Sequence, residues 1–338
     1  MPQFTFHTVI KLFTCAAIVI ATTHTAFNFQ IVQRASSTGG EQGSFPKTKS
    51  VLEINESVRS DKFTGGLIER ATLQPGQPDI EITVNVPAFK LTLWQSGKEV
   101  KTYSVGVGRK DYPISISERE ATEVIWNPAW IPPDSDWVAG HRDVKPGEVI
   151  KASDPRNPLG KLKIPLGYGY LIHQAAKASD LGNLVSHGCI RMLKSDLFDL
   201  AEKIVAARAL PVSQDDIERA KRTSKTLVAQ LDPPLLVDIN YDTLVVEEGV
   251  LHLYPDVYEQ GTNTVENLRA ELLSSGVDAS QLDDGTLERL LNRVSRTKEF
   301  AVSTKSIEAG RAVSAGRSYP LVKPAVRKRA TARRGEPA

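Results

Sequence analysis

One short segment, VSHGCIRM at residues 185–192, brings a histidine, a glycine, a cysteine and an arginine close together. If this segment is extended, His187, Cys189 and Arg191 share one face, because side chains alternate along a strand. A positive charge near a thiol favours the thiolate, which is the nucleophilic form of cysteine. Gly188 has no Cβ, so the backbone can turn there and direct consecutive N–H groups at an oxyanion. The segment therefore predicts an activated cysteine nucleophile.

A cysteine nucleophile needs a base, and His173 in the apolar run YLIHQ is the candidate. A strand–loop–strand return can bring His173 to Cys189, and Asp180 or a main-chain carbonyl would orient the ring. Zinc bound by Cys189, His187 and His173 is an alternative, although Arg191 would add a positive charge there and no fourth ligand is evident. In a third interpretation, His173 and Cys189 are ordinary core residues.

The cysteine count favours a functional thiol. The chain has two cysteines, and Cys15 lies in an N-terminal segment in which Lys11 is followed by the uncharged residues 12–21. That run is shorter than the ~20 residues that span a bilayer and is typical of an export signal. We therefore predict that residues 1–26 are a signal peptide or an N-terminal membrane anchor, so that Cys189 is the one cysteine left outside this segment.

The composition is that of a globular protein. Of 338 residues, 41% are hydrophobic and 24% are charged, and the net charge is +2. This length can bury one substantial core and a smaller additional unit. A nearly balanced charge gives no indication of nucleic-acid binding. The basic excess lies in the final run VKPAVRKRATARRGEPA, which could contact anionic polymer or lipid or could simply be solvated.

Short alternating runs predict that the candidate site lies in a mainly β domain. Residues 27–78 are interpreted as a linker and N-terminal segment, because the run ASSTGGEQGSFPKTKS is rich in Gly and Ser. From residue 79, β-branched and aromatic residues alternate with polar ones, and a hairpin turn is expected at Ser96 and Gly97. His173 falls in a predicted buried strand, and KSDLFDLAEKIVAARA predicts an amphipathic helix.

Residues 111–165 are irregular and rich in proline. Loops of such length are usually functional or disordered. Tryptophan is uncommon in disordered segments, and this stretch contains Trp126, Trp130 and Trp137. We therefore predict long ordered loops here.

The run SQDDIERAKRTSKTLVAQL predicts a helix in the segment after residue 209. It begins with a capping box at Ser213 and Asp216 and has apolar residues at helical spacing through Leu231. Pro233 would prevent the helix from continuing.

The remainder of the chain predicts a small α+β extension over residues 210–300. Strands are expected around a turn at Glu248 and Gly249, and residues 263–296 predict two short amphipathic helices. Residues 301–338 are predicted to be a basic, disordered tail.

The segment IHQAAKASDLGNLVSHGCIRM resembles the signature of the L,D-transpeptidase family, also called the YkuD domain. That signature has an upstream His, a variable gap, then Ser-His-Gly-Cys, an apolar residue, and Arg or Asn. LTLWQSGKEVKTYSVGVG, NPAWIPP and NPLGKLKIPL extend the similarity over residues 79–209. Residues 235–258 more loosely resemble the β extension of Gram-negative, periplasmic members. In YPISISERE, Pro113 remains from the usual Thr-Pro-x-Gly run, whereas its Thr and Gly are absent.

The resemblance implies a fold and a set of roles. The fold is a YkuD-like β-sandwich catalytic domain with one long helix, followed by the small α+β C-terminal extension. Cys189 would be the nucleophile and His173 the general base, oriented by the main-chain carbonyl of Gln174. The remaining implied residues are the main-chain oxyanion donors at His187, Gly188 and Cys189 and the substrate contacts Arg191 and Ser186.

The resemblance also implies a reaction that needs no cofactor. Cys189 would attack the third residue of a peptidoglycan stem peptide, release D-alanine, and pass the acyl group to an amine on another stem or on a wall-attached protein. The implied location is the periplasm, with the N-terminus as a membrane anchor if it is not removed. An L,D-carboxypeptidase, a hydrolase with water as acceptor, and a peptidoglycan-binding module without turnover are the alternatives.

Overall fold

The computed structural model describes residues 80–140 and 142–322, which all lie in one compact unit. The predicted signal or anchor at residues 1–26, the linker at residues 27–78 and the basic residues from 323 onward lie outside the described residues. Within the described ranges, no helix is both long enough and apolar enough to cross a membrane.

An eight-stranded sheet contains most of the main hydrophobic core. In spatial order its strands are β3 (Lys98–Ser104), β2 (Lys90–Gln95), β1 (Ile80–Asn85), β10 (Leu227–Asn240), β5 (Ser117–Trp126), β6 (Leu162–Pro165), β7 (Leu171–Gln174) and β9 (Ile190–Met192). Two short strands, β4 (Val107–Gly108) and β8 (Leu184–Ser186), pair separately. The predicted class, mainly β with one long helix and a smaller α+β part, is confirmed.

The first hairpin forms as its sequence predicts. Ile80, Ile82 and Val84 of β1 are buried and alternate with partly exposed residues, as expected for a strand with one face on the core. β2 and β3 are joined by Ser96 at φ 51° and Gly97 at φ 72°. Two consecutive positive φ angles characterise the tight turn that matches the twist of the flanking strands.

The predicted helix through Leu231 is wrong beyond its first turns. Helix α3 spans Gln214–Arg222 with the predicted Ser213 capping box, and β10 begins at Leu227. Along β10, Ala229 and Leu231 are buried and alternate with exposed residues, so the period is that of a strand. Pro233 and Pro234 lie between Gln230 and Leu235, where the pairing of β10 with β5 shifts register. Such an irregularity is where a sheet tolerates proline.

β10 also corrects the predicted domain boundary at residue 209. This strand lies between β1 and β5 in the main sheet, parallel to the first and antiparallel to the second. The core strand that completes the sheet thus comes from the segment assigned to the extension. Alternation within a strand shows which face is buried but not which sheet the strand joins.

The long helix α2 (Lys194–Ala207) packs on this core. Its buried face consists of Leu197, Phe198, Leu200, Ala201, Ile204 and Val205. Burying each large apolar side chain contributes roughly 1.5–3 kcal/mol.

The segment predicted as long ordered loops contains more regular structure than expected. β5 occupies its early part, where SEREATEVIW alternates only weakly. The connection from β5 to β6 includes the short helix α1 (Asp136–Ala139) and has a small core of its own. Trp130, Ile150 and Leu159 form that core, with Trp137 packed against it. The prediction of order is therefore confirmed.

A second sheet of four strands forms the extension. Its strands are β11 (Leu244–Glu247), β12 (Val250–Leu253), β13 (Lys298–Ser303) and β14 (Arg317–Pro320), and its helices are α4 (Val265–Ser274), α5 (Asp284–Leu291), α6 (Thr304–Glu308) and α7 (Ala312–Ala315). The predicted turn at Glu248 and Gly249 and the two predicted helices are present. A separate hydrophobic core lies beneath them.

The disordered tail was predicted to begin too early. Residues 301–322 include the end of β13, two short helices and β14. Phe300 and Val302 are buried in the second core, and Leu321 is buried in the main core. After Val302, the apolar residues alternate with many polar and charged ones, which is why the sequence predicts a solvated tail.

Candidate active site

The main sheet brings His173 beside the cysteine segment. β7 and β9 run parallel, and His173 lies opposite Arg191. Ile172 and Ile190 point into the main core, so His173 and Arg191 lie on the opposite face of the sheet. Cys189 immediately precedes β9, and its Sγ lies 4.0 Å from the carbonyl oxygen of Gly169, just before β7.

Burial controls the charge of His173. The residue is 5% exposed. Desolvation lowers the pKa of His173 to about 4, with a further lowering by the positive charge of Arg191. The main chain of Gln174 and the carboxylate of Asp180 act in the opposite direction without reversing the shift. The imidazole is therefore neutral at neutral pH and able to accept a proton.

The resemblance implies that the main-chain carbonyl of Gln174 orients His173, but that hydrogen bond is not formed. Its Nδ1 is buried and has no hydrogen-bond partner within the described part of the chain. The main chain of Gln174 lies near enough to favour the imidazolium, as expected for an orienting group, but does not complete a hydrogen bond to Nδ1. The side chain of Gln174 is used elsewhere, since its Oε1 accepts the N–H of Lys161 at 3.1 Å.

The expected shift of the thiol towards thiolate is not found. Burial raises the pKa of Cys189, and this effect exceeds the lowering by the Leu171 main chain and by Arg191. One neighbouring cation does not offset removal from water. The site thus begins as a neutral thiol beside a neutral imidazole.

His187 does not share a strand face with Cys189. β8 ends at Ser186 and β9 begins at Ile190, so the intervening turn breaks the alternation. The His187 ring instead stacks on Trp137 with centroids 4.3 Å apart and meets Tyr112 edge-on at 4.7 Å. Together, the side chains of Tyr112, Trp137 and His187 form a cluster that we call the aromatic wall.

Gly188 occupies a position that requires glycine. Its φ is +104°, and a Cβ there would lie 2.8 Å from the Tyr170 ring. The main-chain N–H groups of Gly188 and Cys189 donate no hydrogen bond to another described residue. Both are therefore available to an oxyanion.

Ser186, a predicted substrate contact, is buried next to the turn that contains Cys189. It is 1% exposed, and its Oγ donates a 2.6 Å hydrogen bond to the carbonyl oxygen of Cys189. This bond closes the turn that presents the thiol.

Arg191 is held by Asp180, the acid that was a candidate to orient His173. Its Nη1 lies 3.4 Å from Asp180 Oδ2, and the two side chains are 22% and 3% exposed. Asp180 also accepts the N–H groups of Ala176 and Lys177. The pair fixes a positive charge near both His173 and Cys189.

Three aromatic residues at the site, Tyr112, Trp137 and Tyr170, were not predicted as site residues. The tryptophan-rich loop indicated order but gave no position for Trp137. Tyr170 lies three residues before His173 in YLIHQ, and this proximity was the available signal. For the zinc alternative, the described residues contain no group of three or more His, Cys, Asp or Glu side chains able to hold a metal.

Residues 79–222 match the family model of YkuD, the L,D-transpeptidase catalytic domain. The probable L,D-transpeptidase YbiS of Escherichia coli (strain K12) is 23% identical over 192 residues, which cover 55% of this chain and 62% of YbiS. The probable L,D-transpeptidase YcfS of the same strain is 25% identical over 185 residues, covering 51% of this chain and 55% of YcfS. The chain thus spans less than two thirds of each relative.

Solved structures give a weaker similarity. The catalytic domain of an E. faecium L,D-transpeptidase, solved by NMR, has a TM-score of 0.31 and 15% identity, with 48% of this chain and 97% of that chain covered. An L,D-transpeptidase from Mycobacterium smegmatis has a TM-score of 0.30 and 12% identity, with 48% and 59% covered.

Proposed function

We propose, from the match of residues 79–222 to the family model of YkuD, the L,D-transpeptidase catalytic domain, that the protein is a cysteine-dependent peptidoglycan L,D-transpeptidase. The donor is a tetrapeptide stem. The bond broken joins its third residue to the terminal D-alanine, and the bond formed joins that third residue to an amine. The substrates are peptidoglycan stem peptides, and no cofactor takes part.

The observation that carries this proposal is a neutral pair: His173 lies on β7, and Cys189 lies immediately before the adjacent strand β9. As Sγ attacks the carbonyl carbon of the third residue, the thiol proton passes to His173. A histidine whose pKa is about 4 is unprotonated and ready for this step at neutral pH. Attack and proton transfer therefore occur together, without a stable thiolate beforehand.

The same pair completes both half-reactions. The tetrahedral intermediate collapses when the carbon–nitrogen bond breaks and His173 returns its proton to the D-alanine nitrogen, which leaves a thioester on Cys189. An acceptor amine then attacks the thioester and gives a proton to His173. Sγ departs and recovers that proton as the thiol is restored.

Main-chain donors support the oxyanion in each half-reaction. The N–H groups of Gly188 and Cys189 belong to the turn that is closed by the Ser186 hydroxyl. Removing one such donor from an enzyme typically lowers kcat by about 10²–10³. Arg191 supports the site by its charge, and the aromatic wall of Trp137 and Tyr112 borders the substrate.

The acceptor is an amine on a second stem or on a wall-attached protein. Water as acceptor would make the enzyme an L,D-carboxypeptidase, and the test below separates these outcomes. The predicted export signal supports a periplasmic location with the N-terminus cleaved or retained as an anchor.

Mass spectrometry of the products tests the proposal. The protein and its Cys189→Ala variant are each incubated with a purified disaccharide-tetrapeptide. Loss of D-alanine with a cross-linked dimer, absent from the variant, is the expected result. Tripeptide alone would indicate the carboxypeptidase. Binding without any product would indicate a wall-binding module and would refute the proposed enzyme.

A further inference from the structure

The loop between β4 and β5, residues 109–116, lies against the candidate active site. Its Tyr112 ring meets the His187 ring edge-on at 4.7 Å. The carbonyl oxygen of Pro113 lies 3.7 Å from the position that a Cβ on Gly188 would take. The position of this loop therefore affects the turn that presents Cys189.

The other side of this loop is attached to the C-terminal extension through Tyr258. The Tyr258 hydroxyl donates to the carbonyl oxygen of Gly108 at 2.9 Å and accepts the N–H of Ile114 at 3.3 Å. One hydroxyl thus joins both ends of the loop. Burial raises the pKa of Tyr258 to about 12, so the hydroxyl keeps the proton that it donates. Lys110 of the loop also pairs with Glu259.

Tyr258 is itself held in place by its own neighbours. Its ring stacks on Tyr241 with centroids 5.6 Å apart, and its N–H donates to the Tyr241 hydroxyl at 2.6 Å. The Tyr241 hydroxyl in turn donates to Asp256 at 2.6 Å, and Asp256 accepts N–H groups from Gln260 and Gly261. These contacts of Tyr241 and Asp256 fix the position of Tyr258, whose hydroxyl holds the loop.

We propose that Tyr258 is a positioning residue of the active site and that the extension acts on the reaction through it. It fixes the loop at residues 109–116, and the loop fixes the turn that contains Gly188. The inference rests on the proposed transpeptidase function. Small displacements of catalytic groups reduce rates by up to about a hundredfold. Removing the Tyr258 hydroxyl therefore lowers the turnover rate although the hydroxyl does not contact substrate.

Tyr258→Phe tests this proposal, because it removes the hydroxyl and keeps the ring that stacks on Tyr241. Tyr254→Phe is the matched control. It also removes one tyrosine hydroxyl of the extension, but that hydroxyl accepts from Lys90 and does not contact the loop. Three quantities are measured for each full-length variant: hydrogen exchange of residues 108–116, alkylation of Cys189 by iodoacetamide, and kcat and KM for D-alanine release.

For Tyr258→Phe we expect faster exchange in residues 108–116 and alkylation of Cys189 increased severalfold, because a loosened loop admits solvent. We also expect kcat to fall by about tenfold with KM changed less than about twofold, since the substrate contacts remain. Tyr254→Phe should match the wild type in all three.

Unchanged exchange in Tyr258→Phe would overturn the proposal, because the hydroxyl would then not hold the loop. Faster exchange with unchanged kcat would also overturn it and leave Tyr258 a purely structural role. If the wild type itself releases no D-alanine, the proposed function fails. The positioning role is then judged by alkylation, which must differ between the two variants for it to stand.

Discussion

Two histidines, one in each sheet, have neighbours of opposite charge: His173 is buried and His252 is partly exposed. His173 in the main sheet lies beside Arg191, and burial with that cation lowers its pKa to about 4. In the second sheet, Nδ1 of His252 lies 3.4 Å from the carboxylate of Glu299. Burial raises the pKa of Glu299, but the side chains of His252 and Lys90 bring it below its ordinary value.

This difference separates a site suited to chemistry from a site suited to stability. In the second sheet, a histidine and a carboxylate lie 3.4 Å apart across β12 and β13. In the main sheet, a base and a thiol are both kept neutral, and Gly188 is held in a conformation that other residues rarely adopt. Perturbed charge and strained backbone at one place are typical of functional sites.

The largest contrast is expected from the reacting groups. Cys189→Ala and His173→Ala should each reduce D-alanine release by at least about a thousandfold, and the double variant should be no worse, because nucleophile and base act as one unit. His252→Ala should change the rate less than about twofold. Initial rates by mass spectrometry measure all four variants. Near-normal turnover in either site variant would remove that residue from the mechanism.

The turn glycines provide the next contrast. Gly188→Ala places a Cβ 2.8 Å from the Tyr170 ring at φ +104°, so we expect a loss of rate of about a hundredfold. Gly249→Ala, at φ +75° with its nearest contact at 3.8 Å, should reduce stability by about 1–2 kcal/mol and leave the rate unchanged. Thermal unfolding and initial rates separate the two effects. Equal losses of activity would contradict the special role of the site turn.

The pH dependence of acylation tests the charge of His173. Because the neutral ring is the proposed base, the rate should stay constant from neutral pH downwards and fall only near pH 4. A fall near the ordinary value of 6.5 would contradict the role of burial and Arg191. The acidic limb of kcat/KM reports this pKa, and His252→Ala should leave the limb in place.

The lowered pKa of His173 also makes the stability of the fold depend on pH. Below pH 6.5 the unfolded chain binds a proton at residue 173 and the folded chain does not, so stability falls as the pH drops towards about 4. The loss amounts to roughly 3 kcal/mol and is absent above pH 6.5. Urea unfolding of His173→Gln should lose this part of the pH dependence. An unchanged dependence would mean that His173 is not kept neutral by the fold.

The sequence identified residues that lie together at the candidate site but did not predict the arrangement that supports them. His173, Gly188 and Cys189 could be found because reactive residue types close in sequence narrow the possible chemistry. The stacking of His187 on Trp137 and the hydroxyl of Tyr258 depend on residues that are distant in the chain. The first part of β10 was misassigned because Leu227 and Leu231 fit a helical period as well as a strand. The site contacts and the position of β10 both depend on pairing between residues that are distant in the chain. A local sequence pattern does not specify such pairing.

The smallest effect on turnover is expected from the ion pairs. Arg191→Ala removes the positive charge that lowers the pKa of both His173 and Cys189. The stronger base and the less readily deprotonated thiol act in opposite directions, so the rate should change by only about three- to tenfold. Both limbs of the pH profile should move to higher pH, and the pH dependence of Cys189 alkylation measures the upper one.

The matched pair in the extension is Arg269 and Asp284, whose nearest atoms lie 2.7 Å apart with side chains 41% and 72% exposed. Exposed pairs contribute about 0–1 kcal/mol, so Arg269→Ala should barely change stability or rate. Arg191→Ala leaves the 3% exposed carboxylate of Asp180 without its cation, which should reduce stability by about 3 kcal/mol or more. If chemical unfolding gave both variants the same loss, the buried pair would be no more important than the surface one. The fixed charge beside His173 would then need another source.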